Sequence, residues 1–255
     1  MDWIDKPDHN LDVEGTWQEF VRHQEGKVLS DDFGTSPEFA NADFWFEKDQ
    51  VVIELKEIQT EFLDKKKDEI MNLIEKYVKD SNLSGSEIFQ GKFMFSDDFY
   101  REYIRLVRPA ISRILKKANK QIKETKQYLG KPNARGVAVI VNDGFTSLSA
   151  TIVLGLICNI LANSYSSIDG FILMTVNSYV AIEYSDVPRL IWMPSYSPGF
   201  EYTSLPDFIN NLGREWRKFM EIKVEGFDVS EEWDDISKLG SMPYMNRIIS
   251  VNDKQ

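Results

Sequence analysis

The run Gly136-Val137-Ala138-Val139-Ile140-Val141 constrains the fold more than any other part of the chain. It has no polar face, so a strand built from it must be covered on both sides. It closes on Asn142-Asp143-Gly144, a turn and helix-capping sequence. Residues 148–161 then read as a buried helix and 168–176 as another apolar strand. Strand, helix, strand predicts a parallel pair joined by a crossover, and therefore an α/β fold.

Elsewhere the periodicity changes. Val13, Trp17, Phe20, Val21 and Gln24 recur at helical spacing, which predicts an amphipathic helix over 13–24. Residues 30–37 are turn-rich. Segments 42–46 and 51–56 are aromatic and β-branched, and Glu47-Lys48-Asp49-Gln50 separates them, so a β-hairpin is expected. Helical spacing returns over 59–79, a loop is expected over 81–98, and a second long helix starts or kinks at Pro109 and ends near Gly130-Lys131-Pro132. Strands at 181–184 and 189–193, a helix at 206–221 and an acidic tail complete the chain. The expected architecture is a mixed central sheet flanked by helices in one domain, 1–255, with a helical insertion at about 58–110 and a C-terminal extension at about 181–255.

Several chemistries are excluded by what the chain lacks. Cys158 is the only cysteine, so no intrachain disulfide can form, and its apolar neighbours predict a buried helical position. His9 and His23 are the only histidines, too few for a histidine-based zinc site or an HNH-type nuclease, and they leave little room for a Ser-His-Asp triad. Neither Gly-rich phosphate-loop pattern occurs. The longest apolar stretch, 150–162, is interrupted by Asn159 and too short to cross a bilayer. Acids at the N-terminus, where a secretory signal would be basic and then apolar, make a cytoplasmic location the expectation.

A net charge of −11 argues against a protein that coats nucleic acid without discrimination. The charge is uneven, however. Nine Lys or Arg residues lie between Arg101 and Lys126, against only Glu102 and Glu124. Among them Arg113, Lys116, Lys117 and Lys120 are candidate nucleic-acid contacts, and a solvated helix face is the bland alternative.

The hairpin carries the candidate chemistry. Along its second strand Glu54 and Lys56 project from one face while Ile53 and Leu55 project from the other. A turn centred on Lys48-Asp49 places Asp43 directly opposite Glu54. Two facing carboxylates repel unless a cation lies between them, so the arrangement suits a divalent metal. Mg²⁺ (or Mn²⁺) needs one or two carboxylates with waters and phosphate oxygens, and no histidine. Lys56 would stand near the attacking water or the developing charge of a phosphodiester hydrolysis.

Asp43, ten intervening residues, then Glu54-Leu55-Lys56 resembles the active-site motif of the PD-(D/E)XK nuclease superfamily. The order of the helix at 13–24, the hairpin, the segment Lys120-Gln121-Ile122 and the strand at 137–141 is similar too. The resemblance covers roughly 13–176 and implies a restriction-endonuclease-like core. It implies Asp43 and Glu54 as catalytic metal ligands, the Leu55 carbonyl as a further ligand and Lys56 as the catalytic lysine. Glu14 and Gln121 are accessory candidates. Ala42 stands where the motif has proline. The expected function is metal-dependent hydrolysis of DNA in genome defence or repair, with RNA as a second substrate class. Protein partners and self-association are left open. The rival expectation is a nuclease fold without turnover that serves as a protein-binding inhibitor, immunity or assembly factor, whose acidity would suit a basic partner. Trp192, Trp216, Trp233 and Tyr244 could stack bases, although scattered aromatics more often fill a core.

Overall fold

The computed structural model describes residues 11–34, 39–58, 66–80, 96–143, 150–177, 179–182, 185–188, 191–197, 203–223 and 245–246. The apolar run becomes β4 (Arg135–Val141), flanked in parallel by β3 (Val51–Glu57) and β5 (Gly170–Met174). Val137 to Val141 are all buried. β1 (Lys27–Val28) and β2 (Phe44–Phe46) extend the sheet antiparallel beyond β3, and β8 (Trp192–Tyr196) extends it antiparallel beyond β5. The result is a mixed six-stranded sheet in the order β1-β2-β3-β4-β5-β8. β6 (Tyr179–Ile182), β7 (Ser185–Pro188) and β9 (Met245–Asn246) form a small separate sheet.

Strand alternation splits the core in two. Trp45, Val52, Ala138, Ile140, Phe171 and Leu173 face one layer, built mainly by α4 (Asp97–Tyr128) and α5 (Ala150–Ser164). Phe44, Ile53, Val137, Val139, Ile172 and Met174 face the other, built by α1 (Val13–His23) and α6 (Leu205–Lys223). Short α2 (Leu29–Phe33) follows β1, and α3 (Lys67–Asp80) packs beside α4. The chain is therefore an α/β protein. No helix among the described residues is long and apolar enough to cross a membrane.

Several expectations shift. Pro109 does not start the helix, because α4 runs from Asp97 to Tyr128 with Pro109 inside it. Proline removes one intrahelical donor, but the buried stripe Phe99, Tyr103, Val107, Ile111, Leu115, Ala118 and Ile122 passes through it and outweighs that loss. The helix ends in a Schellman motif: Gly130 at φ 65° donates to the Gln127 carbonyl and Lys131 to the Lys126 carbonyl. Within 30–37, residues 30–33 belong to α2, and 35–38 lie outside the described residues, as do 59–65 and 81–95. Of the 58–110 segment, α3 and the first turns of α4 are described. Of the C-terminal extension, β8 and α6 join the main sheet and its second core. β8 starts at Trp192, three residues later than expected.

Cys158 is half-buried on α5 rather than buried, with Sγ 3.4 Å from Ser195 Oγ. Trp216 packs into a core stack with Trp17 at a centroid distance of 4.9 Å, and Trp192 stacks on Trp17 at 6.3 Å. Both serve packing rather than an open surface. Trp233 and Tyr244 lie outside the described residues.

Candidate functional site

Asp43 and Glu54 meet because the hairpin adopts the implied register. Phe44 pairs with Ile53, Trp45 with Val52 and Phe46 with Val51, which puts Asp43 opposite Glu54 at the next step. Asp43 holds its main chain between neighbours, its N–H donating to Ile53 O at 3.2 Å and its C=O accepting from Leu29 N–H at 2.9 Å. Both side chains sit on the α4 face, the same face as Val52 and Trp45.

The segment entering Asp43 is clamped by α4. Ala40 N–H donates to Glu124 Oε2 at 2.7 Å, Gln121 Nε2 donates to Asn41 O at 2.8 Å, and Ala42 N–H donates to Thr125 Oγ1 at 2.7 Å. Gln121 is therefore engaged with main chain beside the site. Glu124 and Thr125 have the same role and escaped the sequence reading. Their only signal is polar residues at 121, 124 and 125 bordering the apolar stripe at helical spacing.

At the centre, Asp43 Oδ2 accepts the Leu55 N–H at 2.7 Å, and Glu54 Oε1 accepts from Lys56 Nζ. Glu54 is 0% exposed and the Lys56 side chain 16%, whereas Asp43 is half-buried. Glu54 Oε2 is buried and has no hydrogen-bond partner while both carboxyls are ionised. Burial drives the Glu54 carboxyl well above its ordinary range, the Asp43 charge adds to this, and Lys56 opposes it. Asp43 is also raised by burial, with the Leu55 N–H and Lys56 pulling it down, the Glu14 charge pushing it up, and a hydrogen bond shared with the Glu54 carboxyl lowering it at Glu54's expense. Two agents can satisfy the orphaned oxygen: a proton shared with Asp43, or a cation.

The donor set suits the second agent in kind. It offers two carboxylates, and the Leu55 carbonyl leaves β3 at the edge where its own N–H meets Asp43. Among the described residues no cluster of three or more Asp, Glu, His or Cys side chains is present, so a hard cation here would draw the rest of its shell from water or substrate. Glu14 is exposed on α1, and Gln18 Nε2 donates to its Oε1 at 3.3 Å.

No protein family, curated protein or solved structure matches this chain.

The cations of α4 divide. Arg113, Lys116, Lys117 and Lys120 are exposed; Arg113 Nε donates to Pro109 O at 3.3 Å and Lys120 lies 3.6 Å from Glu124. Lys126, in contrast, is buried against Asp169 at 3.2 Å and serves the fold. Asp143, expected as a turn and cap, is buried at the end of β4 and accepts the N–H groups of Val176 at 2.7 Å and Asn177 at 2.8 Å. Burial raises it to about 6 against those two bonds, with the Glu57 charge adding.

Proposed function

We propose that the chain is a metal-dependent nuclease that hydrolyses DNA phosphodiester bonds, with a restriction-endonuclease-like core. The observation that carries this reading is the buried Glu54 Oε2, which lacks a partner beside a second carboxylate and two residues from a lysine on the same strand face. The order α1, hairpin, α4, β4 and the parallel β3–β4 pair support it. Asp43 and Glu54 would hold Mg²⁺ or Mn²⁺, with the Leu55 carbonyl beside them. Such an ion lowers the pKa of a bound water and neutralises phosphate charge. The Leu55 N–H and the α4 clamp fix the Asp43 carboxylate. Lys56, which now pairs with Glu54, would supply a positive charge beside the phosphate once a cation took its place on that carboxylate. The exposed α4 cations would guide the polynucleotide backbone.

One observation favours the rival reading of a nuclease fold that binds a protein partner without turnover. Glu54 is wholly covered and Lys56 is engaged with it, so the site is closed as it stands. Titration of Mg²⁺ and Mn²⁺ into wild type, Asp43→Asn and Glu54→Gln decides between them, with hairpin hydrogen exchange and cleavage of single- and double-stranded DNA followed in the same samples. Metal-dependent protection and cutting, both lost in the variants, are expected. Neither effect at millimolar metal would leave the protein-binding reading standing.

A further inference from the structure

We infer that Tyr128, stacked on Phe39 beside the entrance to Asp43, is a platform for an unpaired nucleobase, so that the polynucleotide engaged by this protein is single-stranded or frayed at the site. This rests on the nuclease reading and deepens it by naming the form of the substrate.

The rings are built as a platform rather than as core. Tyr128 is 60% exposed at the last turn of α4. Its ring lies 4.3 Å from that of Phe39 at an interplanar angle of 14°, a parallel stack. Phe33 meets both edge-on, at 5.6 Å from Phe39 and 4.9 Å from Tyr128. Two supports hold one large ring flat against solvent, so a stacking partner on its free side loses little of its binding energy to ordering the ring. An aromatic face accepts any base, but only a base that is out of its duplex.

The position suits delivery to the carboxylates. Phe39 precedes Asp43 by four residues, which keeps their Cα atoms within about 14 Å. Tyr128 lies one turn beyond Thr125, whose hydroxyl holds Ala42. At 100° per residue, Arg113, Lys117, Lys120 and Tyr128 fall within a sector of about 80° on α4. The exposed cations thus form a row that ends at the ring, on the border of the face that clamps the Asp43 segment. Two of the acids nearby are engaged: Glu124 takes the Ala40 N–H and Lys120, and Asp31 pairs with Arg22 at 2.8 Å. Phosphates along the row with a base on the ring fit both features, and a purely apolar partner would fit only one.

The test uses the full chain in EDTA, so that no bond is cut, with DNA and RNA oligonucleotides carrying one 2-aminopurine and a blunt duplex of the same DNA. Wild type should bind the single strand more tightly than the duplex and quench the probe on stacking. Tyr128→Phe should do the same, and Tyr128→Ala should lose the quench and bind roughly 5- to 150-fold more weakly. Quenching and affinity unchanged in Tyr128→Ala, equal binding of the duplex, or no binding of any oligonucleotide would each overturn the platform. Comparison of the DNA and RNA arms identifies the sugar. Quenching without cutting in Mn²⁺ would keep the platform and remove hydrolysis; Glu54-dependent cutting with an unaltered Tyr128→Ala would do the reverse.

Discussion

Two buried acids in this fold are treated in opposite ways. Asp169, ahead of β5, accepts at Oδ2 from Lys126 Nζ at 3.2 Å and from the Gly136 N–H at 2.7 Å, while Lys126 also donates to Ser167 O. Glu54, midway along β3, accepts from Lys56 at one oxygen, while its other oxygen has no donor beyond a proton shared with the facing Asp43 carboxyl. The first cluster completes its hydrogen bonds, as a structural ion pair must. The second retains an unmet demand for positive charge. Polar groups left unsatisfied in a native interior call for a reason, and the cation proposed above would supply one.

The largest loss of stability is expected at Asp169. Asp169→Ala strands the Lys126 ammonium, whose pKa burial already depresses against the pull of Asp169, and orphans the Gly136 N–H. Urea unfolding should show a loss of about 3–5 kcal/mol. A loss below about 1 kcal/mol would mean that the pair is not structural.

Asp143 stands between the two extremes, accepting the N–H groups of Val176 and Asn177 and a bond from the Asn177 side chain, with no cation paired to it among the described residues. Its folded-state pKa of about 6 lies above the ordinary 3.8, so folding takes up a proton. Its contribution to stability is therefore present below the unfolded value and is lost as pH rises through about 6. Relative to wild type, Asp143→Asn should gain up to about 3 kcal/mol between pH 4 and pH 7. Paired urea titrations across that window read the difference, and parallel curves for the two proteins would refute it.

At Glu54 the sign is reversed relative to Asp169. The raised carboxyl means that ionisation of Glu54 costs stability as pH rises through its elevated folded value. Glu54→Gln should therefore stabilise the metal-free protein at pH 8, by on the order of 1–3 kcal/mol, while abolishing metal binding. Thermal melts with EDTA and with Mn²⁺ separate the two: wild type should gain stability with metal and the variant should not. A destabilised variant would show that Lys56, not a ligand, is the whole purpose of Glu54.

Much of this was legible because strand physics is local. The β4 run fixed a doubly covered strand, and a four-residue turn fixed the register that sets Asp43 against Glu54. What escaped depended on partners distant in sequence. Pro109 reads as a helix start until the apolar stripe on both sides of it is seen to be buried. Lys126 reads as one more surface cation until Asp169 is brought beneath it. Tyr128 reads as the end of a helix until Phe39, 89 positions earlier, stacks on it. The orphaned oxygen of Glu54 is likewise a property of the packed interior, which no spacing rule shows.

The smallest effect expected on stability is the most informative about the site. Gln121 Nε2 bonds Asn41 O, two residues before Asp43, and does so across 80 residues of chain. Gln121→Leu removes that one bond at a half-buried position, so unfolding should change by only about 0.5–1.5 kcal/mol. If α4 serves merely to cover the sheet, metal affinity should stay unchanged. If it positions the carboxylate, releasing the segment lets Asp43 wander from Glu54, and calorimetric Mn²⁺ affinity should fall about tenfold, as with loss of other groups that orient metal ligands. The two outcomes separate a helix that stabilises the hairpin from one that tunes it. Thr125→Ser, which keeps the hydroxyl on Ala42 N–H, should leave both quantities close to wild type and guard against a packing artefact.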